Sequence, residues 1–112
     1  MESTVMQEER RVHQRRVVRV PAVLRLSSGR EMECRALDLS LGGISLAVEQ
    51  DPGVGTAGLL RVAVPFPERS QAISVSVVVV QSILTDSGFR AGLRFGDLPE
   101  NAREVLHEFL FR

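Results

Sequence analysis

From Val18 onward the chain alternates. Val18, Val20, Ala22, Leu24 and Leu26 share one face of an extended segment, while Arg19 and Arg25 point the other way. Pro21 lies within this run and has no N–H to donate, which predicts an edge strand or a bulge. Ser27, Ser28 and Gly29 form a turn signal. A second strand, over about residues 30–39, sets Met32, Cys34 and Ala36 against Glu31, Glu33 and Arg35. "SLGG" at 40–43 breaks it, and a third strand follows with Ile44, Leu46 and Val48 inward. After the turn "EQDPGVGT", a fourth strand covers about 58–64, and "PFPERSQ" makes a loop. A fifth, over about 72–84, carries Ile73, Val75, Val77 and Val79 on one face. "TDSG" turns the chain into a sixth strand, "FRAGLRF".

Six strands joined by short Gly/Pro/Ser turns predict an antiparallel barrel or sandwich. The period then changes from two to that of a helix. In "DLPENAREVLHEFLFR", Leu98, Ala102, Val105, Leu106 and Phe109 form one helical stripe. Asp97 followed by Glu100 predicts a capping box, with Pro99 in the first turn. This helix is expected to pack on the strands or cover an opening. Residues 1–14 are polar and lack a clean period; they predict a tail that is mobile without a ligand, leaving 15–112 as one folded domain.

Composition sharpens this picture only in places. The formal net charge is zero, which gives no whole-molecule attraction to nucleic acid or membrane. The balance hides an asymmetry: every basic residue is arginine. Eight of the 14 (Arg10, Arg11, Arg15, Arg16, Arg19, Arg25, Arg30 and Arg35) lie at or before position 35, against five acidic residues (Glu2, Glu8, Glu9, Glu31 and Glu33). The single cysteine, Cys34, excludes an internal disulfide and falls on a core face. His13 and His107 are far apart, and no His/Cys/carboxylate cluster has metal spacing. No catalytic set is visible, so an enzyme ranks last. "MESTVMQEERR" lacks the apolar centre of a signal peptide, and no apolar run reaches membrane-spanning length, so the expected location is the cytoplasm.

Three patterns then combine. "ERRVHQR" carries an Arg-x-x-x-Arg pair, Arg11 and Arg15, just ahead of the first strand. "DLSLGG" supplies an Asp-x-Ser-x-x-Gly pattern at Asp38, Ser40 and Gly43. "AGLRFGDLPENAREVLHEF" is a Gly-x-x-Phe strand running into a terminal helix. In this order and spacing they resemble the PilZ domain, a bacterial receptor module for cyclic di-GMP, from about Glu9 to the C-terminus. The resemblance implies a six-stranded antiparallel β-barrel with a C-terminal α-helix, the flexible arginine segment acting as a clamp, and no catalytic activity. It implies ligand contacts from Arg11, Arg15, Asp38, Ser40 and Gly43, with Gly42 beside them. Arg10 directly precedes the pair; in the family an arginine there goes with binding a stacked ligand dimer. Arg15 and Arg19 also fit Arg-x-x-x-Arg. In the family a strand proline usually follows the second arginine by about six residues; Pro21 stands so to Arg15, so the resemblance implies the Arg11/Arg15 register, and Arg19 can line the same wall.

The chemistry fits independently. A guanidinium forks onto phosphate oxygens, pairs with guanine O6 and N7, or stacks on a purine. Asp38 can accept from a guanine N1–H and N2–H₂ edge, Ser40 can donate and accept, and Gly42 and Gly43 permit close approach or positive φ. Taken singly, each pattern has a plainer reading as a solvated charged face or an ordinary turn. Two other functions stand beside the receptor: a nucleotide-independent interaction module on the same fold, and a small barrel for single-stranded nucleic acid. The second is disfavoured by zero net charge and by the lack of aromatics before Phe66. The downstream protein partner of a receptor is not legible.

Overall fold

The computed structural model describes residues 14–112. Its strands are β1 (Arg16–Leu26), β2 (Glu31–Leu39), β3 (Gly43–Val48), β4 (Ala57–Pro65), β5 (Ser70–Thr85) and β6 (Gly88–Phe95), followed by helix α1 (Glu100–Leu110). All pairings are antiparallel, and the strands close into a barrel in the order β1-β2-β3-β6-β5-β4. Closure leaves no full-length sheet edge exposed.

The alternation in the sequence is the alternation of the barrel wall. Ala22, Leu24 and Leu26 of β1, Ile44, Leu46 and Val48 of β3, and Ile73, Val75, Val77 and Val79 of β5 are all buried inside. Together with β4 and β6 they form one continuous apolar cluster. Each Val, Leu or Ile among them contributes about 1.5–3 kcal/mol through burial. Helix α1 closes the cluster from the side of β4 and β5, burying Ala102, Leu106, Phe109 and Leu110. The Phe109 ring meets Phe66 edge-on, with centroids 6.0 Å apart. His107 stays exposed on the outer face.

The structure departs from the expected pattern in three respects. The capping box does not form: the N-cap residue of α1 is Pro99, and no side chain caps the helix. With the helix starting at Glu100, Asp97 stands two residues ahead of the N-cap position rather than at it, as a capping box requires. Neither Gly42 nor Gly43 takes positive φ. Gly43 is required by space instead, since a Cβ there would overlap the Leu93 carbonyl oxygen on β6. Cys34 is only partly buried and packs against the core from its rim.

Register breaks do the remaining shaping. The β1–β2 ladder slips between Val17 and Val20, β2–β3 between Ala36 and Asp38, and β5–β6 between Val79 and Gln81. An extra residue at a bulge reverses the side on which later residues emerge. With Ala36 inward, strict alternation would also turn Asp38 inward. After the break it is Leu39 that is fully buried, and Asp38 lies on the outer wall. In the same way, Gln81 and Ile83 would follow Val79 into the core, yet both are exposed.

Candidate functional site

These reversals assemble an outer cleft of about 330 Å³, lined by Arg15, Asp38, Ser45, Gln81, Ile83, Arg90 and Gly92. Its plan follows from cross-strand register. Asp38 pairs with Ser45, Ser45 with Gly92, and Gly92 with Gln81, so one transverse row crosses β2, β3, β6 and β5. The two middle members are small. They form a low floor between a wall bearing Asp38 and Arg15 and a wall bearing Gln81, Ile83 and Arg90.

Asp38 is the electrostatic centre. Arg15 Nη1 donates to one carboxylate oxygen at 2.7 Å, and Arg90 Nη2 to the other at 3.4 Å. The Asp38 side chain is 14% exposed, whereas those of Arg15 and Arg90 are 59% and 56% exposed. The carboxylate is thus held near the wall while both guanidiniums keep N–H groups open to solvent. Exposed pairs of this kind contribute only about 0.2–1 kcal/mol, so turning either arginine toward an incoming anion costs little. Two cations around one anion leave the cleft with a local surplus of positive charge.

The "DLSLGG" segment folds tightly next to this wall. Ser40 is 1% exposed. Its hydroxyl accepts from Gly42 N–H at 3.2 Å and Gly43 N–H at 3.0 Å, and donates to the Gly43 carbonyl at 3.2 Å. Those three bonds use the full capacity of a hydroxyl. Gly42 in turn accepts from the Phe95 N–H at 2.9 Å, which ties the turn to β6. In this arrangement Ser40 builds the turn that carries Asp38, and Gly43 lets β3 close onto β6.

Of the residues expected from the sequence, Arg15 and Asp38 come together in the cleft, and Ser40, Gly42 and Gly43 form the neighbouring turn. Arg19 is exposed on β1 but does not line the cleft. Arg10 and Arg11 lie outside the described residues. Sequence reasoning missed Ser45, Gln81, Arg90 and Gly92. Arg90 is 52 residues from Asp38 in the chain, and nothing local marks it.

The described residues thus form a closed six-stranded barrel with a lateral helix, with Arg15 just ahead of β1 paired to Asp38 near the end of β2. The model of the PilZ domain matches residues 9–112, and the chain belongs to that family. PilZ domains are non-catalytic receptor modules. Among solved structures, the chain is similar to the Bacillus subtilis inhibitor of motility MotI/DgrA, with a TM-score of 0.76 and 17% identity over 92% of this chain and 50% of that one. It is similar to the PilZ domain of Escherichia coli YcgR with c-di-GMP (TM-score 0.67, 17% identity, 91% of this chain and 89% of that one). It is also similar to K. pneumonia MrkH in its c-di-GMP complex (TM-score 0.62, 18% identity, 88% and 49%). The chain therefore spans about half the length of MotI/DgrA and of MrkH, and most of the isolated YcgR domain. A comparison with curated protein sequences finds no match. No helix among the described residues is long and apolar enough to cross a membrane.

Proposed function

We propose that this chain is a cyclic di-GMP receptor that uses Asp38 and the cleft floor as the fixed half of its site and the arginine segment ahead of β1, Arg15 included, as the closing half, and that it passes the signal to a protein partner. The observation that carries the reading is the Arg15–Asp38 pair at 2.7 Å, standing over the cleft and flanked by the Ser40–Gly43 turn. The ligand offers two phosphates and two guanines. Arg15 and Arg90 have free N–H groups for phosphate oxygens or a guanine O6/N7 edge. Asp38 is positioned to accept from a guanine N1–H and N2–H₂ edge. Ser45 and Gly92 leave room over the floor for a flat ring. Arg10 and Arg11 supply further guanidiniums, with Arg11/Arg15 as the working pair and Arg10 favouring uptake of two stacked ligands. Ser40 and Gly43 serve by holding the turn; Ser40 would contact ligand only by trading one of its internal bonds.

Binding is the ordering event in this scheme. The ligand favours the state in which residues 9–16 lie over the cleft, and only that differential affinity drives the change. Isothermal titration with cyclic di-GMP tests it. Binding with one or two ligands per chain is expected, with Arg15→Ala reducing affinity by at least about 30-fold, the equivalent of roughly 2 kcal/mol for lost charge-assisted hydrogen bonds. No heat at high concentration of folded protein would favour a nucleotide-independent interaction module instead. Unchanged amide exchange over residues 9–16 at saturation would reject the ordering step.

A further inference from the structure

Strand β1 is supported unequally along its length. It pairs with β2 from Arg16 to Arg25, but with β4 only from Ala22 to Leu26. Pro21, which would come next on β1 opposite Ala63, has no N–H with which to extend the β1–β4 ladder, and further along the same register Pro65 would face Arg19 and also lacks one. The first residues of β1 are therefore held on one side only. The gap beside them is a hollow of about 340 Å³ between Arg16, Val17 and Val18 on one bank and Phe66, Pro67 and Phe109 on the other.

One side chain spans it. Arg16 Nη1 donates to the Phe109 carbonyl oxygen at 2.6 Å, and its guanidinium carbon stands 4.6 Å from the Phe109 ring centroid. The last four carbonyls of a helix lack intrahelical partners and carry the negative end of its dipole, so a guanidinium there satisfies an acceptor and a charge at once. Arg15 and Arg16 are neighbours in sequence, and they engage opposite structures: Arg15 engages Asp38 in the cleft, Arg16 the end of α1.

We infer that Arg16 is a positioning residue for the cleft, cross-bracing the half-supported start of β1 to the C-terminal end of α1 so that Arg15 is presented to Asp38. The inference rests on the cyclic di-GMP reading and goes beyond it. Because linkage is reciprocal, a ligand that fixes Arg15 also fixes Arg16 on Phe109 and tightens the last turn of the helix. The end of α1, including the half-exposed Phe111, becomes a surface whose order reports occupancy of a cleft formed by other strands.

The test uses the full chain and its Arg16→Ala, Arg16→Lys and Arg15→Ala variants, with cyclic di-GMP titrated by calorimetry and amide exchange followed over 107–112. Circular dichroism first confirms that each variant is folded. Arg16→Ala is expected to bind about tenfold more weakly, a change equivalent to 1.4 kcal/mol. Arg16→Lys, which can still donate to the Phe109 carbonyl, should recover most of that loss. In the Arg15→Ala background the Arg16→Ala change should add nothing. Ligand should slow exchange of the Phe111 amide, bonded to the His107 carbonyl at 3.0 Å, in the wild type and not in Arg16→Ala. Wild-type affinity in Arg16→Ala, an additive loss in the double variant, or equal slowing in both proteins overturns the inference while leaving the ligand assignment standing. Absence of binding to the wild type overturns both.

Discussion

Gly43 and Gly92 sit on adjacent strands and have opposite jobs, which a pair of alanine substitutions separates. At Gly43 an added Cβ would overlap the Leu93 carbonyl oxygen, with the Leu93 carbonyl carbon at 3.3 Å and the Arg94 Cα at 3.4 Å. All three are backbone atoms in a closed ladder, so no side chain can rotate away. Forcing a methyl into such a space costs about 1–3 kcal/mol, and the lack of relaxation places Gly43→Ala at the upper end. At Gly92 the nearest atoms are Gln81 Cβ at 3.5 Å and Gln81 Oε1 at 3.6 Å, ordinary contact distances. There the methyl relieves a strand glycine and adds about 0.5 kcal/mol of stability. For a chain of this size, 1 kcal/mol moves the melting temperature by roughly 5 °C. Gly43→Ala should therefore melt about 10–15 °C below the wild type, and Gly92→Ala at or slightly above it. Binding should reverse the order of interest. The Gly92→Ala methyl stands on the cleft floor and should weaken cyclic di-GMP binding about tenfold in a protein that is fully folded. Thermal unfolding by circular dichroism and titration calorimetry on the same samples give both readouts. Equal melting temperatures for the two variants would refute the steric argument, and wild-type affinity in Gly92→Ala would remove the floor from the site.

Three further outcomes follow from the same geometry. Arg90→Ala should leave stability within about 0.5 kcal/mol, because its bond to Asp38 is long and exposed, yet weaken ligand binding several-fold, as read by calorimetry. Leu106→Ala removes a fully buried side chain beneath α1 and should cost about 2–5 kcal/mol in urea unfolding; a loss under 1 kcal/mol would mean that the helix does not seal the core. Burial pushes the Cys34 thiol up from 9.0 to about 11. Its contribution to stability is complete below the unfolded thiol's value and is lost as pH climbs through the folded one, since the unfolded chain ionises first. Iodoacetamide at pH 8.5 should alkylate native Cys34 far more slowly than urea-unfolded protein, and equal rates would contradict the burial.

The sequence by itself determined the strand count, the inward faces of β1, β3 and β5, and the terminal helix. Period-two and helical alternation are local properties, and a chain that buries Val75, Val77 and Val79 together has few other ways to do so. Arg15, Asp38 and the glycine turn were legible because each belongs to a short run with its own chemistry. Only the tertiary structure decided which way Asp38 and Gln81 face, because a bulge arises from competition between ladders on neighbouring strands rather than from either strand alone. Barrel closure brought Arg90 to Asp38 across 52 residues, and the packing of α1 brought Phe109 to Arg16 across 93. Contacts at those separations depend on where the whole wall closes, and no local pattern encodes them.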